Sequence, residues 1–252
     1  MVFQVLISTL STSIERFRQY SFPVLVISQG GGSRRVEDYK FSFFEFKERG
    51  LSKSRNRALD KAQGEIILFA DDDVSFVDDL ESKIIRAFEQ YPDADVITFR
   101  VQTPDGLAYK SSYSDTKFTH TRSSIYKVSS VEIAVRSSSV KKHSIRFDEN
   151  FGLGAQFKSG EEVIFLNDCL DAGLKVIYVP EVIVFHPLES SGKVLDASYF
   201  RSKGAIIKRL YGFSPFLGLG ILFIGKQLLK SQKTVSFAEA LKETMKGFYA
   251  KF

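Results

Sequence analysis

The stretch GEIILFADDDVSF, Gly64 to Phe76, decides how the rest of the chain is read. Ile66, Ile67, Leu68, Phe69 and Ala70 form a near-continuous apolar run, as expected of a strand buried on both faces of a parallel sheet. The run ends in Asp71, Asp72 and Asp73. Three adjacent carboxylates repel one another unless a cation or hydrogen-bond donors compensate. In open α/β sheets, ligands bind beyond the carboxyl ends of the strands, where this triplet falls. Residues i and i+2 of an extended segment face one side, so Asp71 and Asp73 are expected to share a site while Asp72 turns elsewhere. Hard cations such as Mg2+ and Mn2+ take oxygen ligands, usually one or two carboxylates plus substrate phosphates. A solvated loop leading into the next helix also carries such a triplet, so its surroundings must decide.

Working outward, strands are expected at 2–9, 22–29, 41–48, 65–71 and 95–104, with helices around 12–20, 51–62 and 78–91. GGGSRR after the second strand reads as a flexible turn. Strands alternating with helices indicate an α/β sheet with short crossovers. SSVEIAVRSSSV returns a further strand, and beyond it lie a helix at 160–172 and a strand at 175–179, continuing at 182–185. Two domains are expected: 1–192, and a basic, amphipathic helical region at 193–252.

Charge is unevenly spread. From Lys193 onward there are 11 Lys/Arg against 3 Asp/Glu, a net of +8, while the first 192 residues carry 24 against 27. A basic tail suits an anionic partner. FSPFLGLGILFIGKQLLK, 213–230, is apolar but too short to span a bilayer, and no run of 18 apolar residues occurs. It is expected to lie at a membrane surface, its lysines at anionic headgroups. The opening residues lack a basic n-region and read as a strand rather than a secretory signal. One cysteine excludes an internal disulfide and a cysteine-based zinc site, and suits a reducing compartment. No nucleic-acid reader motif is present, and no nucleic-acid partner is expected.

GLSKSRNRALDKAQGEIILFADDDVSF resembles the inverting family 2 glycosyltransferases. Their pattern is a Gly-led helix with an Arg-Asn pair, then Gly-Glu before an apolar strand ending in Asp-x-Asp. Gly50, Arg55, Asn56, Gly64, Asp71 and Asp73 fall in register with it. GEEVIFLNDCLDAGLKVIYVPEVIVFHP resembles the same family's acidic motif, a triplet opening a helix, with a strand that ends near a histidine. The resemblance covers roughly residues 3–187. It implies a GT-A (Rossmann-like) α/β fold: a mixed, mostly parallel sheet flanked by helices, here with a helical C-terminal tail. It implies a nucleotide-diphosphate sugar donor, with UDP the expected nucleotide, and a divalent metal, Mn2+ or Mg2+, held by Asp71, Asp73 and His186. The base that deprotonates the acceptor hydroxyl is then Glu162, because inversion needs it across the sugar from the leaving group. Glu161 and Gly160 are expected on the acceptor side, as is the loop 152–160. Ser8, Thr9, Gln29, Arg55, Asp71 and Asp72 are expected on the donor, with Lys53 a weaker candidate. The acceptor implied is a glycan or lipid-linked hydroxyl in surface polysaccharide synthesis, at the cytoplasmic face of the membrane.

Three positions depart from the family pattern. Relatives often carry Pro-Thr-Tyr-Asn after the first strand, where this chain has Ser8, Thr9, Leu10 and Ser11. Relatives often carry Asp-Asp-Gly-Ser after the second strand, where this chain has ISQGGGS, leaving Gln29 as the candidate for a uracil edge. Glu162 replaces the commoner Asp. Two other readings compete. A sugar nucleotidyltransferase wants a Gly-rich phosphate loop after the first strand, and STLSTS is not one. A catalytically inactive binding scaffold is disfavoured by the retention of Asp71, Asp73 and Glu162.

Overall fold

The computed structural model describes residues 1–187, 195–212 and 235–252. The chain begins with β1 (Phe3–Thr9), α1 (Glu15–Arg18), β2 (Val24–Ser28), β3 (Arg35–Glu37) and β4 (Phe41–Glu45). Next come α2 (Leu51–Lys61), β5 (Ile66–Asp71), β6 (Ser75–Phe76), α3 (Leu80–Gln90) and β7 (Val96–Gln102). After β8 (Phe118–Thr119) come β9 (Ile133–Arg136), α4 (Ser137–Lys142), α5 (Glu161–Asp171) and β10 (Val176–Phe185). Two further helices close the chain, α6 (Ala197–Tyr211) and α7 (Phe237–Phe248).

The strands form one sheet in the order β3-β4-β2-β1-β5-β9-β7-β10-β6, with β8 on the free side of β10. β4, β2, β1 and β5 run parallel, and β9 enters antiparallel between β5 and β7. Every residue of β1 and β2 is buried, and so is β5 up to Ala70, as their unbroken apolar runs require. One core fills each face of the sheet, and aromatic pairs such as Phe147 on Phe165 (4.4 Å between ring centres) tie α5 to it. The mixed, mostly parallel sheet with flanking helices and a helical C-terminal region is the architecture expected from the sequence.

The register fixes where the site lies. Ser8 of β1 pairs with Asp71 of β5 and with Ile27 of β2, so Thr9, Gln29 and Asp71 emerge along one edge. Two helices open onto that edge, each led by a glycine at positive φ: Gly50 (φ 128°) before α2 and Gly160 (φ 108°) before α5. A side chain at either would be strained. The short β3 strand follows directly on the GGGSRR turn and was not expected, because its pairing with β4 leaves little apolar trace in the sequence.

The expected boundary at 192/193 falls within 188–194, and the apolar stretch 213–230 within 213–234, both outside the described residues. No helix of the described residues is long and apolar enough to cross a membrane. The described tail helices pack on the sheet domain. Arg209 bridges Asp148 (3.0 Å) and Asp168 (2.8 Å), and Ser202 Oγ accepts from the Lys158 amide (3.1 Å). α6 and α7 approach so closely at Gly204 and Gly247 that a Cβ on either would lie 1.9 Å from a backbone carbonyl oxygen of the other helix.

Candidate active site

A cleft of about 780 Å³ opens at the carboxyl edge of β1 and β5. Ser8, Thr9, Gln29, Arg55, Asp71, Asp72, Asp73, Glu161, Glu162 and His186 all line it. The donor and acceptor motifs, some ninety residues apart in sequence, therefore face a common space. Gly160 and Lys53 do not line it. Gly160 instead lies beneath Ile206 of α6, whose Cδ1 would be 2.3 Å from a Cβ there, so its role is to start α5 and admit α6.

The three aspartates diverge. β5 ends at Asp71 and the backbone turns, so the alternation expected to align Asp71 with Asp73 stops before it can act. Asp71 Oδ1 accepts from Arg55 Nη2 (3.0 Å) and Oδ2 from Ser130 Oγ (3.4 Å). Both oxygens thus have protein donors, and Asp71 is tied to Arg55 and Ser130. Asp72 accepts from Thr9 Oγ1 and from Arg16 Nη2 (2.7 Å). Asp73 is left as the open carboxylate, 61% exposed, with Oδ1 3.6 Å from His186 Nε2.

His186 follows β10, where its amide donates to the Gln102 carbonyl (2.8 Å) and its ring packs 5.1 Å from Tyr109. Nδ1 lies 2.6 Å from the Pro187 carbonyl oxygen, which can only accept, so Nδ1 carries a proton. Nε2 is then the ring nitrogen that faces Asp73 and could bind a cation. One carboxylate and one imidazole are a fitting but incomplete donor set for a divalent cation. No group of three or more His, Cys, Asp or Glu that could hold a metal occurs among the described residues, so substrate oxygens would have to complete the shell.

Gln29 has a different task from the one expected. Its Nε2 donates to the Gly50 carbonyl and its Oε1 accepts from the Gly50 amide, both at 3.1 Å. The amide pins the glycine that starts α2 and is buried, so it is not free to read a base edge. Ser8 Oγ accepts from Ser54 Oγ (2.8 Å), tying β1 to α2.

Arg55 is also engaged within the protein. Only 2% of its side chain is exposed. Nη1 donates to Glu161 Oε1 (3.1 Å), and Nη2 donates to Asp71 Oδ1 (3.0 Å) and Ser130 Oγ (2.7 Å). Nε has no partner among the described residues, so the carboxylates dictate how the guanidinium is turned. Burial favours losing the charge, but Asp71, Glu161 and Glu162 outweigh it and raise the Arg55 pKa. Arg55 lines the cleft while its carboxylate bonds hold it to the protein.

Glu161 is buried, and burial with Glu162 alongside pushes its carboxyl up to about 8, against the pull of Arg55. Glu162 faces the cleft half-exposed and makes no hydrogen bond or ion pair among the described residues, which leaves its oxygens open to a substrate. Lys203 of α6 sits one turn before Ile206 and so on the face that meets the start of α5. Burial lowers its pKa, while Glu162 and Glu161 act to raise it. Reading the sequence missed Lys203, Ser130 and Tyr109. None stands in a motif, and each reaches the site only through packing; Lys110 ties the Tyr109 segment down by bonding Ser129 (2.7 Å) and pairing with buried Glu132.

Residues 33–140 match the family model described as Glycosyl transferase family 2. No curated protein matches the chain. Among solved structures, the crystal structure of S. aureus TarS 1-349 aligns with a TM-score of 0.65 at 17% identity, over 99% of this chain and 81% of that one. The same fragment in complex with UDP-GlcNAc aligns with a TM-score of 0.67 at 17% identity, over 98% and 82%. Its complex with UDP gives 0.65 at 18% identity, over 99% and 81%. At these identities the likeness speaks for the fold. Residues 33–140 are thus similar to glycosyl transferase family 2, and they are carried on the GT-A-type fold shared with the TarS fragment.

Proposed function

We propose that the chain moves a sugar from a nucleotide-diphosphate donor, a UDP-sugar, to an acceptor hydroxyl with inversion. One observation carries the reading: a cleft beside the family 2-like segment has an open Asp73–His186 pair on one wall and on another Glu162, which makes no hydrogen bond or ion pair among the described residues. The UDP and UDP-GlcNAc complexes of the TarS fragment favour uridine as the nucleotide. Asp73 and His186 are the residues to hold Mn2+ or Mg2+, which when bound draws charge from the diphosphate leaving group. Asp72, anchored by Thr9 and Arg16, is the candidate for the donor's ribose. Glu162 takes the proton from the acceptor hydroxyl as the new bond forms, and the sugar's bond to the diphosphate breaks on the opposite face. The basic tail and the apolar stretch at 213–230 support a lipid-linked acceptor, with the protein held peripherally at the cytoplasmic face of the membrane.

A panel of nucleotide sugars, each with and without Mn2+, tests the donor by thermal melting, since a true donor raises the melting temperature by mass action. The expected result is Mn2+-dependent stabilisation by a UDP-sugar, followed by transfer to an acceptor. A panel with no stabilising member would remove the reading. Co-sedimentation with anionic liposomes tests the membrane proposal, and a protein that stays in the supernatant ends it.

A further inference from the structure

Given the glycosyltransferase reading above, on which this rests, we propose that Arg55 is a positioning residue that sets the separation of the donor and acceptor halves of the site. Asp71, which it holds at 3.0 Å, is two residues from Asp73. Glu161, which it holds at 3.1 Å, is the neighbour of Glu162. A single guanidinium therefore joins the end of the strand that leads to the metal pair with the start of the helix that presents the base.

The choice of side chain fits this role. A guanidinium is a rigid planar fork, so two carboxylates bonded to it are fixed relative to each other, whereas an ammonium on a flexible stem fixes neither angle. The fork itself cannot swing. Its central carbon lies 5.4 Å from the centre of the Phe147 ring, and that ring is packed by Phe69 (5.0 Å) and Phe165 (4.4 Å). The neighbouring residue holds this support in place. Asn56 Nδ2 donates to the Phe147 carbonyl (2.9 Å) and to Glu149 (3.0 Å), and Asn56 Oδ1 accepts from the Phe147 amide (2.9 Å). The Arg-Asn pair thus acts as a unit: Asn56 secures the floor, and Arg55 spans the site above it.

Arg55 is largely committed within the protein, with only its Nε–H and one Nη1 hydrogen left over. Nη2 has spent both hydrogens on Asp71 and Ser130, and Nη1 has spent one on Glu161. Binding a diphosphate in addition would draw the guanidinium away from Asp71 and Glu161, which it holds together. Displacement at the sugar carbon is sensitive to placement, with an error of about 1 Å costing about 100-fold. A residue that sets the spacing should therefore govern turnover more than donor affinity.

The test uses the full chain with Arg55→Lys, Glu161→Gln and the double variant. Donor affinity is read from UDP-sugar and Mn2+ titration of melting temperature, and kcat from sugar transfer. Arg55→Lys is expected to keep the donor midpoint within about 3-fold while kcat falls by about 100-fold. The double variant is expected to be little worse than the poorer single, because both changes cut one linkage. A donor midpoint raised about tenfold or more with kcat intact would make Arg55 a phosphate ligand and overturn the proposal. So would losses that multiply in the double variant. If Arg55→Lys does not fold, Ser130→Ala frees one Nη2 partner and keeps the cation. A fall in kcat of about 5-fold at unchanged donor midpoint is then expected, and unchanged kcat overturns the proposal. If the wild-type chain transfers no sugar from any donor, the glycosyltransferase reading fails by itself. The linkage is then judged by melting temperatures of the same three variants, where simple additivity overturns it.

Discussion

Asp73 and Glu161 line one cleft and carry the same functional group, yet the protein houses them in opposite ways. The Asp73 side chain is 61% exposed, and its Oδ1 lies 3.6 Å from the His186 ring. The Glu161 side chain is 5% exposed and bonded to Arg55. An exposed carboxylate can trade water for a cation and give it back. A buried one is stable only with a permanent partner and loses much if that partner goes. Under the proposed function, the donor side is thus suited to being filled and emptied at each turnover, and the acceptor side to staying still.

The most severe way to break this contrast is at Asp73. Asp73→Asn should reduce transfer by about a thousandfold or more, since the wall that meets the diphosphate loses its charge. Its melting temperature should stay unchanged, because an exposed side chain holds no fold contact. Mn2+-dependent stabilisation by the donor should vanish with the activity, and a variant that retains both would end the metal assignment. Glu162→Gln should come next, with kcat falling by about 100- to 1000-fold. Donor stabilisation should persist, because the amide keeps the shape of the acid and loses only its basicity. Transfer at the wild-type rate would remove Glu162 as the base.

How much of this the sequence revealed depended on the range of the interaction concerned. Strands β1, β2, β5 and β7 were legible because burial on both faces demands apolar runs. The motif helices were legible from their leading glycines and periodicity. What stayed hidden were partners. Gln29 looked free to read a base because its partner, Gly50, lies 21 residues away. Arg55 was expected on the donor because nothing local shows its inward partner, Glu161, which lies 106 residues away. Asp71 and Asp73 were paired by strand alternation, but the strand ends between them. The helical tail was expected, yet its contact through Ile206 with Gly160 is a packing fact that no local pattern encodes.

The stability of the acceptor side should depend on pH in a way the donor side does not. Burial raises the Glu161 pKa to about 8, well above its ordinary value. Between the ordinary carboxylate range and about pH 8 the folded chain therefore binds more protons here than the unfolded chain, and this site loses stability as pH rises through that window. Glu161→Gln removes the titration while keeping an acceptor for Arg55. Its melting temperature relative to wild type should rise by a few degrees between pH 5 and pH 8.5. A pH-independent difference would show that Glu161 is ionised throughout and that Arg55 fully compensates its burial.

The smallest expected effect extends the contrast to the histidines. His186 sits at the cleft, but His120 is buried beside β10, with Nε2 2.8 Å from Thr98 Oγ1 and Nδ1 2.9 Å from Ser124 Oγ. Burial lowers its pKa to about 4. A depressed histidine has the opposite sign to Glu161: between about pH 6.5 and 4 the unfolded chain binds the extra proton, so stability is intact above that window and lost as pH falls through it. The loss by pH 5.5 is about 1.4 kcal/mol. His120→Asn should flatten this acid slope in denaturant unfolding at pH 5.5 and 7.5, even if it lowers stability at both. Transfer at neutral pH should change little, because the ring contacts Thr98 and Ser124 rather than the cleft. An unaltered acid slope would mean that His120 finds a way to ionise in place, and that burial alone does not separate the structural histidine from the one at the cleft.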